Sequence, residues 1–214
     1  MGKTDIVQLH GFASSAKSAK ARSIEQFFAS DETVRYHGFE FSPTSLDFKF
    51  LTITGMINRL RQYVLDQGID RMRIVGSSLG CLVGLHYAHR FGGVDRLLLL
   101  APALRYRPEL LSDEERLFWE KRGSIDVEHL GFGKILPLNY DFHRDGRAYM
   151  KPIEPLAKTR IVHGIRDDVI PVESSRRYAT AHPGRVTLVE VDSDHRLLDV
   201  LPSVLEEARP FLVS

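Results

Sequence analysis

The chain has a single cysteine among its 214 residues, so no disulfide can form within it, and a reducing compartment suits it. It has no excess of charge: 29 Lys and Arg stand against 28 Asp and Glu, a formal net charge of +1. That balance gives no electrostatic reason to expect nucleic acid or an anionic membrane as a partner. No stretch approaches the roughly 20 apolar residues that a membrane span needs, and no apolar leader precedes Asp5. The expected location is cytoplasmic. Internal repeats and low-complexity segments are absent too. Metal-ligand spacing is also missing: His86 and His89 lie three apart on one expected helix, but no third ligand is spaced to join them. Gly131-Phe132-Gly133-Lys134 lacks the spacing of a phosphate-binding loop. Neither a metal nor a cofactor is expected.

What remains is an ordinary globular composition, 43% hydrophobic and 27% charged, in a chain long enough to bury one large core. One domain over 1–214 is the expectation. Strand and helix patterns alternate, the arrangement of a parallel sheet covered on both faces. Asp5 to Leu9 reads as a strand, Ser18 to Ala29 as a helix and Val34 to Phe41 as a strand. Thr52 to Asp66 reads as an amphipathic helix with apolar Ile53, Ile57, Leu60 and Val64. Val94 to Leu100 reads as a fully buried strand, and Thr159 to His163 and Val186 to Val191 follow, with helices at Glu173 to Ala181 and Leu201 to Leu212. With a strand before Gly76, six strands in a mainly parallel sheet are expected.

The strongest local signal is Gly76-Ser77-Ser78-Leu79-Gly80, a G-x-S-x-G between the strand-like Arg71 to Val75 and the helix-like Cys81 to Ala88. Such a turn holds a serine in a strained conformation at the top of a sheet, with glycines giving the chain room. A serine hydroxyl is a poor nucleophile at neutral pH. It needs a histidine to take its proton, and the histidine needs a carboxylate to fix its tautomer. Both lie downstream, each just past an expected strand: Asp167-Asp168 after Ile161 to Gly164, and His195 after Val186 to Val191. The turn Gly164-Ile165-Arg166-Asp167 followed by Pro171 favours Asp167. Asp168 would then face solvent or cap the helix after Pro171. Asp192 and Asp194 stand close to His195 in sequence, but neighbours on a loop generally diverge.

An oxyanion needs preorganised backbone N–H donors. Leu79, which follows the serine, is one candidate, and Phe12, in the loop after the first strand, is the second. Gly11 would let that loop approach closely, and His10 reads as a structural loop histidine. Leu104 to Ala157 is too long for a simple connection, so 104–157 is expected to form a small lid. Within it Ser112-Asp113-Glu114-Glu115 forms a capping box that opens a helix through Arg122. Phe132, Ile135, Leu136, Leu138, Tyr140 and Phe142 offer apolar surface, either as an acyl-binding wall over Ser78 or as packing against the body. Gly11, Ser77, Trp119 and Phe132 are the candidate substrate-binding residues. Cys81 should be a small packing residue in the first turn after the serine.

Taken together, these motifs resemble a compact α/β-hydrolase over nearly the full chain. More narrowly, His10-Gly11-Phe12-Ala13-Ser14-Ser15, Ser18-Ala19-Lys20-Ala21 and Gly76-Ser77-Ser78-Leu79-Gly80 resemble the small YqiA/YcfP-type esterases. The chain departs from that pattern at Cys81, where those proteins commonly carry another glycine, and its acid turn is similar to the general carboxylesterase pattern. The resemblance implies hydrolysis of a small ester or thioester by Ser78, Asp167 and His195 without a cofactor, and it leaves the acyl group open. A thioesterase of acyl-CoA type is the second enzyme reading, and a catalytically silent α/β-hydrolase acting as a binding protein is the alternative from another class.

Overall fold

The computed structural model describes residues 2–213. Its main sheet has six strands, β1 (Thr4–Leu9), β2 (Val34–Phe39), β3 (Met72–Ser77), β4 (Val94–Leu100), β7 (Lys158–Gly164) and β8 (Val186–Val191), in the order β2-β1-β3-β4-β7-β8. Every pairing in it is parallel, where the sequence pattern suggested a mainly parallel sheet. The cause is visible in the pleat: side chains on a strand alternate between faces, and here both faces are covered. In β4, Leu97 and Leu99 enter one core while Leu98 and Leu100 enter the other, and all four are fully buried. β3 and β7 repeat the division, with Ile74 against Val75 and Ile161 against Val162. Each such side chain contributes about 1.5–3 kcal/mol by leaving water.

Helices α1 (Ala19–Phe28) and α8 (Leu201–Val213) cover one face through Ile24, Phe28, Val204 and Leu205. Helices α3 (Ile53–Asp66) and α4 (Leu79–Phe91) cover the other, and α7 (Glu173–Ala181) adds Tyr178 there. A short α2 (Ser45–Lys49) precedes α3. From β1 the chain moves outward to β2, then returns to the other side of β1 as β3. The helices that follow β1 and β3 therefore leave on opposite faces, and a crevice opens between the two strand ends, where open α/β sheets bind ligands.

The segment 104–157 carries a feature absent from the sequence reading, a second sheet. After α5 (Asp113–Arg122), strands β5 (Ser124–His129) and β6 (Lys134–Asn139) pair antiparallel, and α6 (Asp141–Gly146) follows. The expected capping box of α5 is present, and Gly123 ends that helix in the left-handed region at φ 77°. Leu136 and Leu138 turn inward while Ile135 is 72% exposed, the alternation of a half-buried strand. The hairpin is fastened to the body by Phe48 against the His129 ring at 4.6 Å and by the Leu130 N–H donating to Ala13 O at 2.9 Å. No helix among the described residues is long and apolar enough to cross a membrane.

Candidate active site

Ser78 is the single residue between β3 and α4, at φ 49° and ψ −116°. Such a conformation costs a residue with a Cβ about 1–3 kcal/mol and persists only where its surroundings enforce it. Here they do: the Ser78 N–H donates to Leu100 O at 3.0 Å, and Ser78 O accepts from Cys81 N–H at 3.0 Å and Ala103 N–H at 3.2 Å. The flanking glycines are required by contact. A Cβ on Gly80 would lie 2.7 Å from His10 O, and one on Gly76 would lie 2.9 Å from the Cys81 Cα. Cys81 itself is buried, and burial pushes its thiol up to about 12, so it packs as a small apolar residue.

The Ser78 hydroxyl donates to His195 Nε2 at 3.1 Å, and His195 Nδ1–H donates to Asp167 Oδ2 at 2.7 Å. The Asp167 side chain is fully buried while that of His195 is 19% exposed. Asp167 Oδ1 accepts from the amides of Val169 at 2.9 Å and Ile170 at 2.8 Å. Burial alone would raise the Asp167 pKa, but hydrogen bonds from His163, His195 and the Ile170 amide outweigh it and hold the carboxyl well below the usual carboxylate range. An ionised carboxylate only accepts, so it fixes the proton of His195 on Nδ1 and leaves Nε2 as the acceptor. The other acids are placed elsewhere. Asp168 is exposed, Asp192 pairs with Arg166 at 2.7 Å, and Asp194 accepts from the amides of Arg196 and Leu197 at 2.8 and 3.2 Å.

One member of this constellation was not read from the sequence. His163, on β7, is fully buried; its Nε2–H donates to Asp167 Oδ2 at 3.0 Å and to Ile170 O at 2.9 Å, while its Nδ1 accepts from the Ser175 hydroxyl at 2.7 Å. Its signal was present as a polar side chain in the buried C-terminal half of the strand, directly after Ile161 and Val162.

The loop after β1 reaches the serine closely: a Cβ on Gly11 would lie 3.4 Å from the Ser78 Cβ. His10 anchors this loop, with its ring nitrogens 2.8 Å from Gly11 O and 2.8 Å from Glu40 Oε1. Phe12 lies with Gly11, Ser78 and His195 in the wall of one crevice, and Leu79 opens the helix that follows the serine. The crevice is a cavity of about 860 Å³ whose walls include Gly11, Phe12, Ser77, Ser78, Leu130 and His195, within the range of ligand sites.

Two expected substrate contacts lie away from it. Trp119 is 3% exposed, its indole N–H donating to Leu138 O at 3.0 Å, and it joins α5 to the hairpin. Phe132 packs on the His129 ring at 4.6 Å, and the hairpin residues that reach the cavity are Leu130 and Gly131. The reason is local: large aromatic side chains in this segment serve to bury the hairpin's own inner face. Among the described residues no three His, Cys, Asp or Glu side chains gather as a metal-binding group.

A family model described as Uncharacterised protein family (UPF0227) matches residues 5–211. No curated protein matches the chain in sequence. Among solved structures, the alpha/beta hydrolase domain-containing protein 10 from mouse superposes with a TM-score of 0.77 at 22% identity, covering 99% of this chain and 92% of that one. Est1E from Butyrivibrio proteoclasticus, with ferulic acid bound, gives 0.74 at 16% identity, covering 99% and 90%. A monoacylglycerol lipase from Paleococcus ferrophilus gives 0.71 at 14% identity, covering 97% and 95%. At these identities the likeness is one of fold, and the fold is that of the α/β-hydrolases.

Proposed function

The chain belongs to the family UPF0227, of YqiA/YcfP type, and from that premise we propose that it is a serine hydrolase acting on small esters or thioesters. One observation carries the reading: an unbroken hydrogen-bond line from Ser78 Oγ through both nitrogens of His195 to a carboxylate held ionised. Its geometry suits proton transfer without rearrangement.

In the first half-reaction His195 Nε2 takes the Ser78 proton as Oγ attacks the substrate carbonyl. The Phe12 and Leu79 amides receive the oxyanion, and Asp167 offsets the charge on the imidazolium. Collapse of the tetrahedral intermediate breaks the bond to the alcohol or thiol, which leaves with the proton from His195. A water molecule then gives its proton to His195, attacks the acyl-serine, and releases the acid with Ser78 restored. The hairpin of 104–157 acts as a lid whose tip, Leu130-Gly131, walls the cavity.

The alternative of a silent binding protein is disfavoured by the retention of Ser78, His195 and Asp167 in one hydrogen-bonded line at a strained turn of the nucleophile-elbow type. A fluorophosphonate probe separates the two: covalent labelling at Ser78 together with hydrolysis of p-nitrophenyl esters supports the hydrolase. Folded protein that neither labels nor turns over would overturn it.

A further inference from the structure

The charges around the cavity are one-sided. Its lining includes Lys17, Lys20, Arg22 and Arg196 and no carboxylate, in a chain whose acids and bases otherwise balance at 28 to 29. Composition does not explain that. Lys20 and Arg22 lie in the opening of α1 and Lys17 just before its N-cap Ser18, and the first turn carries no acid although the helix dipole favours Asp and Glu there and disfavours cations. The sequence thus sets cations where the local electrostatics of the free protein oppose them, all facing one cavity.

Lys20 is the innermost. Its ammonium donates to Ser77 Oγ at 2.8 Å, the side chain adjacent to the nucleophile, and it shares the cavity with Ser78 and His195. The carboxylates whose charge acts on it, Asp194 and Asp167, are hydrogen-bonded elsewhere: Asp194 to the amides of Arg196 and Leu197, Asp167 to two histidines. Burial draws the Lys20 ammonium down to about 8, as expected of a cation short of both water and a dedicated counter-ion. An incoming anion would supply that counter-ion.

Resting on the hydrolase reading above, we propose that this cavity selects an ester or thioester that bears a carboxylate or phosphate, with Lys20 as the residue that receives the anion. Arg196 and Lys17 at the mouth steer it inward. A charge-assisted hydrogen bond to a partly desolvated ammonium gives discrimination that a neutral substrate of equal length cannot claim.

The test uses matched pairs. p-Nitrophenyl hemiglutarate against p-nitrophenyl pentanoate places the anion in the acyl part. An acyl-CoA against the same acyl thioester of N-acetylcysteamine places it, as phosphate, in the leaving group. In the wild-type protein the anionic member of at least one pair should have the higher kcat/KM by about tenfold or more. Lys20→Gln should erase most of that ratio and Lys20→Arg keep most of it. Dividing by the neutral partner removes any general effect on the serine. A wild-type ratio at or below one in both pairs, or a ratio untouched by Lys20→Gln, overturns the proposal. If Lys20→Gln does not fold, Arg196→Gln and the loss of the wild-type ratio with added salt decide the matter. Titration of Ser78→Ala with both pairs reads the preference without turnover: equal affinities within each pair sink the anion site, whereas absence of turnover by the wild type sinks the hydrolase reading alone.

Discussion

Asp167 accepts two imidazole donors on one oxygen, His195 at 2.7 Å on the solvent side and His163 at 3.0 Å on the buried side. The second histidine is pinned in turn by the Ser175 hydroxyl, so the line from Ser78 continues into α7. A carboxylate gripped from behind cannot rotate away from His195. This makes His163 a positioning residue, and His163→Gln should lower kcat on p-nitrophenyl acetate by about tenfold with little change in KM. It should also cost about 1–3 kcal/mol of stability through the stranded Ser175 hydroxyl and Ile170 carbonyl. Loss of stability with kcat unchanged would reduce His163 to packing.

The strain at Ser78 gives a test that separates function from folding. Ser78→Ala and Ser78→Gly should both lower ester hydrolysis by about 10³-fold or more. Glycine, however, adopts φ 49° and ψ −116° without the penalty of a Cβ, so Ser78→Gly should be the more stable of the two by about 1 kcal/mol in urea unfolding. Equal midpoints would mean that the elbow stores no strain.

The neighbouring acids divide sharply by environment. Asp167→Asn should reduce kcat by about 10³ to 10⁴-fold, because an amide no longer imposes the Nδ1–H tautomer on His195. Asp168→Asn, at an exposed position, should cost less than about threefold. The reverse order, read from kcat on one neutral ester, would move the acid role to Asp168.

Acid should remove what Asp167 contributes to stability. Its carboxyl titrates below the ordinary range in the folded protein, so the stabilisation is complete above the unfolded value near pH 3.9 and fades as the pH falls through the folded one. Wild type minus Asp167→Asn, measured by urea unfolding, should therefore shrink on going from pH 6 toward pH 3. A difference that grows on acidification would contradict the assignment.

Lys20 should titrate within reach of activity measurements. Its ammonium is drawn to about 8 by burial, against the opposing influence of Cys81, Asp194 and Asp167 and with that of Arg196, which also lowers it. Below that pH it is charged. The anionic-to-neutral ratio of kcat/KM should fall between pH 7 and 9, and any ionisation that acts equally on both substrates cancels in the ratio. A ratio flat across that range would exclude Lys20 as the titrating partner.

Much of this architecture could be read from the chain because the signals were local. The four consecutive leucines Leu97 to Leu100 pointed to a strand buried on both faces, and Gly76 to Gly80 carried its own turn. The order of Ser78, Asp167 and His195, each just beyond a strand, needed no contact information. The hairpin escaped because its two halves are individually weak: Ile125 and Val127 alternate with polar neighbours over a short stretch, and Pro137 sits inside β6, where a proline argues against a strand. Trp119 and Phe132 were assigned to substrate by residue type, whereas their partners, Leu138 and His129, are chosen by tertiary packing. Lys20 and His163 were missed for the same reason, since Lys20 meets Ser77 across 57 positions of sequence.

The bond from the Leu130 amide to Ala13 O has a mechanical meaning. Ala13 follows Phe12, whose amide is a proposed oxyanion donor, and a Cβ on Gly131 would lie 2.7 Å from the Ser15 Cβ, so hairpin tip and donor loop lie in direct contact. On the hydrolase reading, the hairpin is therefore not an ornament that could be trimmed without touching the site. Removing it would release the loop that carries half of the proposed oxyanion hole, and lifting it would tug on that loop first. The wall of the crevice and the loop of the proposed oxyanion donor thus share one contact.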